Sequence, residues 1–284
     1  VFTTTIAEND ATSADLSVSS YSGSLADAHG GACGAATGDL GAVTVDGDAP
    51  DFVSVAATDG TYNIGDVLTI TVTWDEACTK SGTPTLALSN SDTATYSSGD
   101  GSTAIVFTTT ITDGDTDASD LSVSSYSGTL ADAAGGACGA ASGDLGAVIV
   151  DGDTPDISGA DATDGAYGVG EALSITVTFD EAVTVTGTPT ITLSNADVAS
   201  YASGSGSTAI VFTTTIAQGD TDSSDLSVSS IQPTAGGATM KDGATNDIST
   251  TVTGGDLGTV TVDGAVPVFA SVAADDAAYG VGDV

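Results

Sequence analysis

The 284-residue chain carries 39 acidic side chains against two lysines, a formal net charge of −37, yet 40% of it is hydrophobic. That charge repels nucleic acid and anionic membrane surfaces, and no run of 18 apolar residues is present to insert into a bilayer. Regular strand-like alternation separates the chain from the disordered sequences that usually carry so many acids.

The chain opens on Val1–Ile6 (V-F-T-T-T-I), which returns at Val106–Ile111 and Val211–Ile216, each time 105 positions on. The pattern Y-x-x-G-D/E opens at Tyr62, Tyr167 and Tyr279, spaced 105 and then 112. The seven extra residues fall late in the second copy, where Leu226 to Asp256 is 30 positions against 23 from Leu121 to Asp144. A unit near 105 residues is too long for a solenoid turn and fits one domain. The expected organisation follows. Residues 1–50 are the back half of a repeat, 51–155 a complete repeat, 156–267 a complete repeat with a longer loop between its last two strands, and 268–284 the start of another. The joints read V-D-G-D-A-P (Val45–Pro50), V-D-G-D-T-P (Val150–Pro155) and V-D-G-A-V-P (Val262–Pro267).

Within 51–155 the pattern predicts seven short strands between Gly, Asp and Ser turns. They are Phe52–Ala57 (A), Val67–Trp74 (B), Thr85–Ser89 (C), Thr93–Ser97 (D), Thr103–Ile111 (E), Leu121–Ser125 (F) and Ala147–Val150 (G). In strand B, Leu68, Ile70, Val72 and Trp74 share one face and Thr69, Thr71 and Thr73 the other, as a half-buried strand requires. The fold class expected is all-β: tandem immunoglobulin-like β-sandwich domains in a linear array.

Cys78 follows strand B and Cys138 lies between F and G, at the same pole of such a sandwich. In the second copy Val183 replaces Cys78, and Ser230–Gly254 also lacks a cysteine. The two vanish together, which predicts a Cys78–Cys138 disulfide and an oxidising, extracytoplasmic setting. The alternative is three free buried thiols. Cys33 matches Cys138.

No residue set argues for catalysis. The single histidine, His29, corresponds to Ala134, and no nucleophile-elbow, zinc-protease or phosphate-loop motif is present. The acids suit calcium better, because Ca²⁺ takes six to eight oxygen ligands. Sandwich topology brings the A–B and E–F loops of one unit, the linker, and the B–C and F–G loops of the next unit to each joint. At the second joint this set is Asp59 and Asp66, then Asp113, Asp115, Asp117 and Asp120, linker Asp151 and Asp153, and Asp180, Glu181 and Asp242 beyond. The first joint offers Asp10 and Asp15, linker Asp46 and Asp48, then Asp75, Glu76 and Asp132. The third offers Asp220, Asp222 and Asp263, with Ala265 in place of the second linker acid, and is expected to bind differently. Asp113-Gly-Asp115-Thr-Asp117 opens like an EF-hand loop but has Ser124 where the bidentate Glu belongs. For each Asp taken singly, a turn or capping role is the alternative.

Tyr167–Ser194 (Y-G-V-G-E-A-L-S-I-T-V-T-F-D-E-A-V-T-V-T-G-T-P-T-I-T-L-S) and Tyr201–Phe212 resemble the tandem Ig-like or cadherin-like repeats of giant bacterial surface adhesins. Met240–Asp247 (M-K-D-G-A-T-N-D) is similar to the D-x-x-G-N stretch late in those repeats, and Leu130–Gly136 is a reduced form of it. The resemblance implies an extracellular, cell-surface extender, rigidified by calcium, whose partners are the neighbouring repeats of its own chain. The cysteine pair and the scarcity of Lys and Arg depart from that family. They leave a second reading: a self-assembling filament or sheath of identical chains whose end domains are completed by neighbours. A carbohydrate-binding module is a third, against which stand an aromatic content of 5% and a core placement for Trp74.

Overall fold

The computed structural model describes residues 1–7, 9–273 and 281. Tyr279, the third Y-x-x-G-D/E opening, lies outside them. The chain divides into two compact units, Val1–Asp153 and Thr154–Val284.

The first unit begins with β1 (Ser17–Val18) and β2 (Gly38–Asp39), paired antiparallel. Then come β3 (Phe52–Ala57), β4 (Gly60–Asn63), β5 (Val67–Leu88), β6 (Thr93–Ser98), β7 (Ser102–Thr110), β8 (Asp115–Ala118), β9 (Ser122–Ala131), β10 (Gly143–Asp144) and β11 (Val148–Gly152). The first part of β5 lies between β3 and β7, with Ile70 opposite both Ala57 and Phe107. Its second part pairs with β6 and β9, with Leu86 opposite Ala94 and Tyr126. A second sheet sets β11 parallel to β4 and antiparallel to β8.

The second unit repeats this order as β12 (Ile157–Ala162), β13 (Gly165–Gly168), β14 (Ala172–Thr186), β15 (Thr190–Leu193), β16 (Val198–Ser203), β17 (Ser207–Thr215), β18 (Val228–Gln232), β19 (Thr239–Lys241) and β20 (Val260–Asp263). One 3₁₀ turn at Ala235–Gly237 is its only helical element among the described residues. Both units are all-β sandwiches.

The expected strands B and C are one continuous strand in the first unit and two in the second. The difference traces to the partner strand. β9 runs unbroken from Ser122 to Ala131 and pairs on both sides of Gly82–Pro84. In the second unit five of the seven extra residues fall between β18 and β19, ahead of Met240, and two between Ile248 and Asp256. No single partner spans Gly187–Pro189, and the long strand parts there.

The core forms as the alternation dictates. Leu68, Ile70, Val72 and Trp74 are buried on one face of β5, and Leu173, Ile175, Val177 and Phe179 take their places in β14. Each such side chain contributes roughly 1.5–3 kcal/mol on burial. Cys78 and Cys138 are disulfide-bonded across 60 residues inside this core. Val183 and Ile248, both buried, stand at the equivalent places in the second unit, where apolar contact substitutes for the bond. Ile248 is identified by its backbone: its N–H donates to Met240 as that of Cys138 does to Leu130.

Closing a loop of this size stabilises by about 4 kcal/mol on the chain-entropy model. Reduction, or Cys78→Ala with Cys138→Ala, should lower the first unit's unfolding midpoint in denaturant and leave the second's unchanged. Equal shifts in both, or none, would show that the bond contributes no such constraint.

Candidate metal centre at the repeat joint

Each joint begins where the last strand of a unit runs out. The glycine of V-D-G is pressed against the preceding loop: a Cβ on Gly47, Gly152 or Gly264 would collide with the backbone carbonyl of Asp10, Asp115 or Asp220 respectively. An aspartate then takes the glycine N–H, Asp117 for Gly152 (2.9 Å) and Asp222 for Gly264 (2.8 Å). Past the glycine, the proline carbonyl is taken by the following repeat. Gly139 N–H donates to Pro50 (2.8 Å) and Ser249 N–H to Pro155 (2.9 Å). The residue after the proline donates to the B–C acid: Asp51 N–H to Asp75 (2.7 Å) and Asp156 N–H to Asp180 (2.8 Å). Trp74 adds an indole N–H to Gly139 (2.9 Å).

These contacts sort the candidate ligands into two kinds. The loop acids that precede a joint are engaged with backbone. Asp66 accepts from Asn63 N–H, Asp115 from Thr112, Asp220 from Ala217 and Asp263 from Ala265, besides Asp117 and Asp222 above. Each closes a turn or holds an exit strand, as Asp does when its side chain bonds nearby backbone. Asp113, Asp151, Asp153 and Glu181 also have interaction partners.

The second kind gathers at the first joint. Half-buried Glu76 has its carboxyl pushed above the ordinary 4.5, first by loss of surrounding water and then by the carboxylates of Asp46, Asp75, Asp132 and Asp48. A cleft of about 270 Å³ opens beside them, between Asp46–Ala49 and Ala134–Gly136. Asp132 has one oxygen fully used, accepting N–H bonds from Ala134, Gly135 and Gly136. Its other oxygen is buried and has no hydrogen-bond partner. Asp242 repeats the arrangement in the second unit. Oδ1 accepts from Thr245 and Asn246, while Oδ2 is buried without a partner and the residue is only 4% exposed. A buried carboxylate oxygen left bare is costly, and its recurrence fits a cation ligand. Among the described residues no three His, Cys, Asp or Glu side chains already stand in a ligand-ready cluster. A cation would have to draw Glu76 and its neighbours inward. Within this set, which lies apart from the E–F loop acids, Asp75 also accepts a backbone N–H, from Asp51, and Asp132 keeps one oxygen bare. The signal that separates them in sequence is their position after strand B and in the L-A-D-x-x-G-G segment.

No protein-family model matches the chain, so the adhesin resemblance has no family match behind it. No curated protein matches it. Among solved structures it is similar to the I-band fragment I67–I69 from titin, at 10% identity and a TM-score of 0.31, covering 68% of this chain. The chain spans 63% of the length of that fragment.

A carboxyl whose folded-state pKa is raised holds its proton more tightly folded than unfolded. Its contribution to stability therefore falls as pH climbs above 4.5, and the full penalty stands at neutral pH. In EDTA at pH 7, Glu76→Gln should melt higher than the parent chain, and well below pH 4.5 the two should melt alike. A variant that melts lower at pH 7 would contradict the repulsion. Independently, Gly152→Ala should cost about 1–3 kcal/mol of first-unit stability, because the strand exit has no room for a methyl group.

Proposed function

We propose that this chain is a non-catalytic, extracellular string of immunoglobulin-like repeats that acts as a calcium-stiffened extender of a bacterial surface adhesin. The observation that carries this reading is the set of four carboxylates around Glu76 at the first joint, with the bare, buried oxygen of Asp132 recurring at Asp242. Asp46, Asp48, Asp75, Glu76 and Asp132 would hold the ion. Ca²⁺ would supply charge that cancels their repulsion and ties the linker to the B–C and F–G segments. The disulfide suits an oxidising compartment. Among the described residues no helix is long and apolar enough to cross a membrane. Trp74, Phe107, Phe179 and Phe212 are all buried, which leaves the complete repeats without the exposed aromatic platform a carbohydrate module would use. Calcium affinities on the order of 10⁻⁴–10⁻³ M are typical of extracellular modules.

The test is small-angle scattering and thermal melting of the chain in millimolar calcium and in EDTA. Extension and a raised melting temperature in calcium are expected, with both responses weakened in Asp132→Asn. Identical dimensions and melting in the two buffers would overturn the reading, and a magnesium response equal to calcium would reduce it to general screening.

A further inference from the structure

Each unit sets a late strand parallel to an early tetrapeptide. β11 pairs with β4 from Val148 opposite Gly60 to Asp151 opposite Asn63. β20 pairs with β13 in the same way, from Val260 opposite Gly165 to Asp263 opposite Gly168. Both pairs are pinned where they start. Asp59 accepts the N–H of Ala147 (3.0 Å) and Asp164 that of Thr259 (2.7 Å). Gly60 and Gly165 donate to the carbonyls of the same two residues, at 3.0 Å each. The tyrosines of the Y-x-x-G-D/E motif brace the approach, Tyr62 donating to the Thr58 carbonyl and Tyr167 to that of Thr163. Val148, Val150, Val260 and Val262 are buried behind the pairs.

Parallel pairing decides how such a unit meets tension. The chain enters β4 at one end of the pair and leaves β11 at the other, so a pull along the chain slides the two strands past each other. The evenly spaced bonds of a parallel ladder then share the load instead of opening one at a time. What lies behind the pair differs between the units. In the first, tension that passes Asn63 reaches Cys78 and crosses the disulfide to Cys138. β6, β7, β8 and β9 all lie inside the loop this bond closes. Residues 156–267 contain no cysteine, so β15 to β19 have no such bypass.

We propose that the parallel pair is a shear clamp, pinned by Asp59 or Asp164, and that the Cys78–Cys138 bond is a stop behind it that halts extension of the first unit. Under load the first unit yields a short, bounded length and keeps four strands out of tension. The second, once its clamp parts, yields its whole length. Tension of this kind follows from the extender reading, on which the clamp and the stop rest; calcium plays no part in either. The Y-x-x-G-D/E motif and the aspartate before it thereby gain a mechanical role, holding an early strand where the last one can bear on it.

The test is single-molecule pulling of the 284-residue chain by its two ends, in EDTA, so that its outcome is separate from that of the calcium reading. The 60-residue span between the bonded cysteines should stay closed, which shortens the release from the first unit by roughly 200 Å. Dithiothreitol added while the molecule is held extended should free that length in one step. The event that dithiothreitol leaves unchanged belongs to the second unit and reports its clamp. The same clamp is then pulled through Val169→Cys and Ala265→Cys in a Cys33→Ser chain. Those sites lie just beyond one end of the β13–β20 pair, so the pull peels it. Peeling should need no more than about half the end-loaded force, since one rung at a time carries the load. Asp164→Ala should lower the end-loaded force and leave the peeling force unchanged, because peeling starts at the Gly168–Asp263 end. Equal forces in the two directions, an Asp164→Ala chain in which both forces fall or neither does, or no step on reduction would each overturn the proposal.

Discussion

The close approach of the V-D-G backbone to the loop before it is the constraint on which each joint depends. Gly47, Gly152 and Gly264 lie where any side chain would strike a carbonyl oxygen, and this fixes the path on which the chain leaves its last strand. Once that path is set, the N–H groups of Gly152 and Gly264 fall to Asp117 and Asp222. A buried amide without a partner would cost about 1–3 kcal/mol, so the aspartate in that loop is as much a backbone requirement as the glycine. The proline three residues further on continues the same logic. It stiffens φ and presents a carbonyl, to which the N–H of Gly139 or Ser249 donates.

The disulfide and the tryptophan belong to this same arrangement. Cys138 directly precedes Gly139, whose N–H holds Pro50 and whose carbonyl takes the Trp74 indole. The bond to Cys78 thus anchors the segment that grips the linker. In the second unit Phe179 has no donor to offer, and the packing of Val183 with Ile248 stands in for the disulfide, while Ser249 N–H still holds Pro155. Two repeats of one sequence pattern therefore share the backbone bond to the proline carbonyl, and differ in that a disulfide and an indole donor in one are replaced by apolar contact in the other.

Much of this was legible before the fold was seen. The alternation Leu68-x-Ile70-x-Val72-x-Trp74 names its own buried face, and Phe52–Ala57 is found as expected. The joint loss of both cysteines from the second copy pointed to the bond that is present. What could not be read there depends on partners distant in sequence. β4 and β13 are Gly-flanked tetrapeptides that become strands only because β11 and β20 lie parallel to them. The unbroken β5 requires an unbroken β9 opposite, which no local signal at Gly82–Pro84 announces. The acids were the hardest case. Asp115 and Asp132 occupy equally Gly-rich surroundings, but one has its Oδ1 and Oδ2 turned to Thr112 and the other keeps an oxygen bare. Composition cannot distinguish them, because turn closure and cation ligation select the same side chain.

This division of labour also bears on how a chain with a net charge of −37 holds together. Many of its aspartates accept backbone N–H groups, as Asp66, Asp144, Asp220 and Asp256 do in their own turns, and this spaces them along the loops, where water and salt screen them from one another. At Glu76 loss of surrounding water, and after it the neighbouring carboxylates, together raise the carboxyl above its ordinary value. A divalent cation would then act locally, on the set of the linker, the B–C strand and the F–G segment, while the two apolar cores, buried and uncharged, would answer to it little. Stiffness and stability become separable properties in such a chain. The cores set whether each repeat is folded, and on the proposed reading the carboxylates beside Glu76 would act on the linker alone.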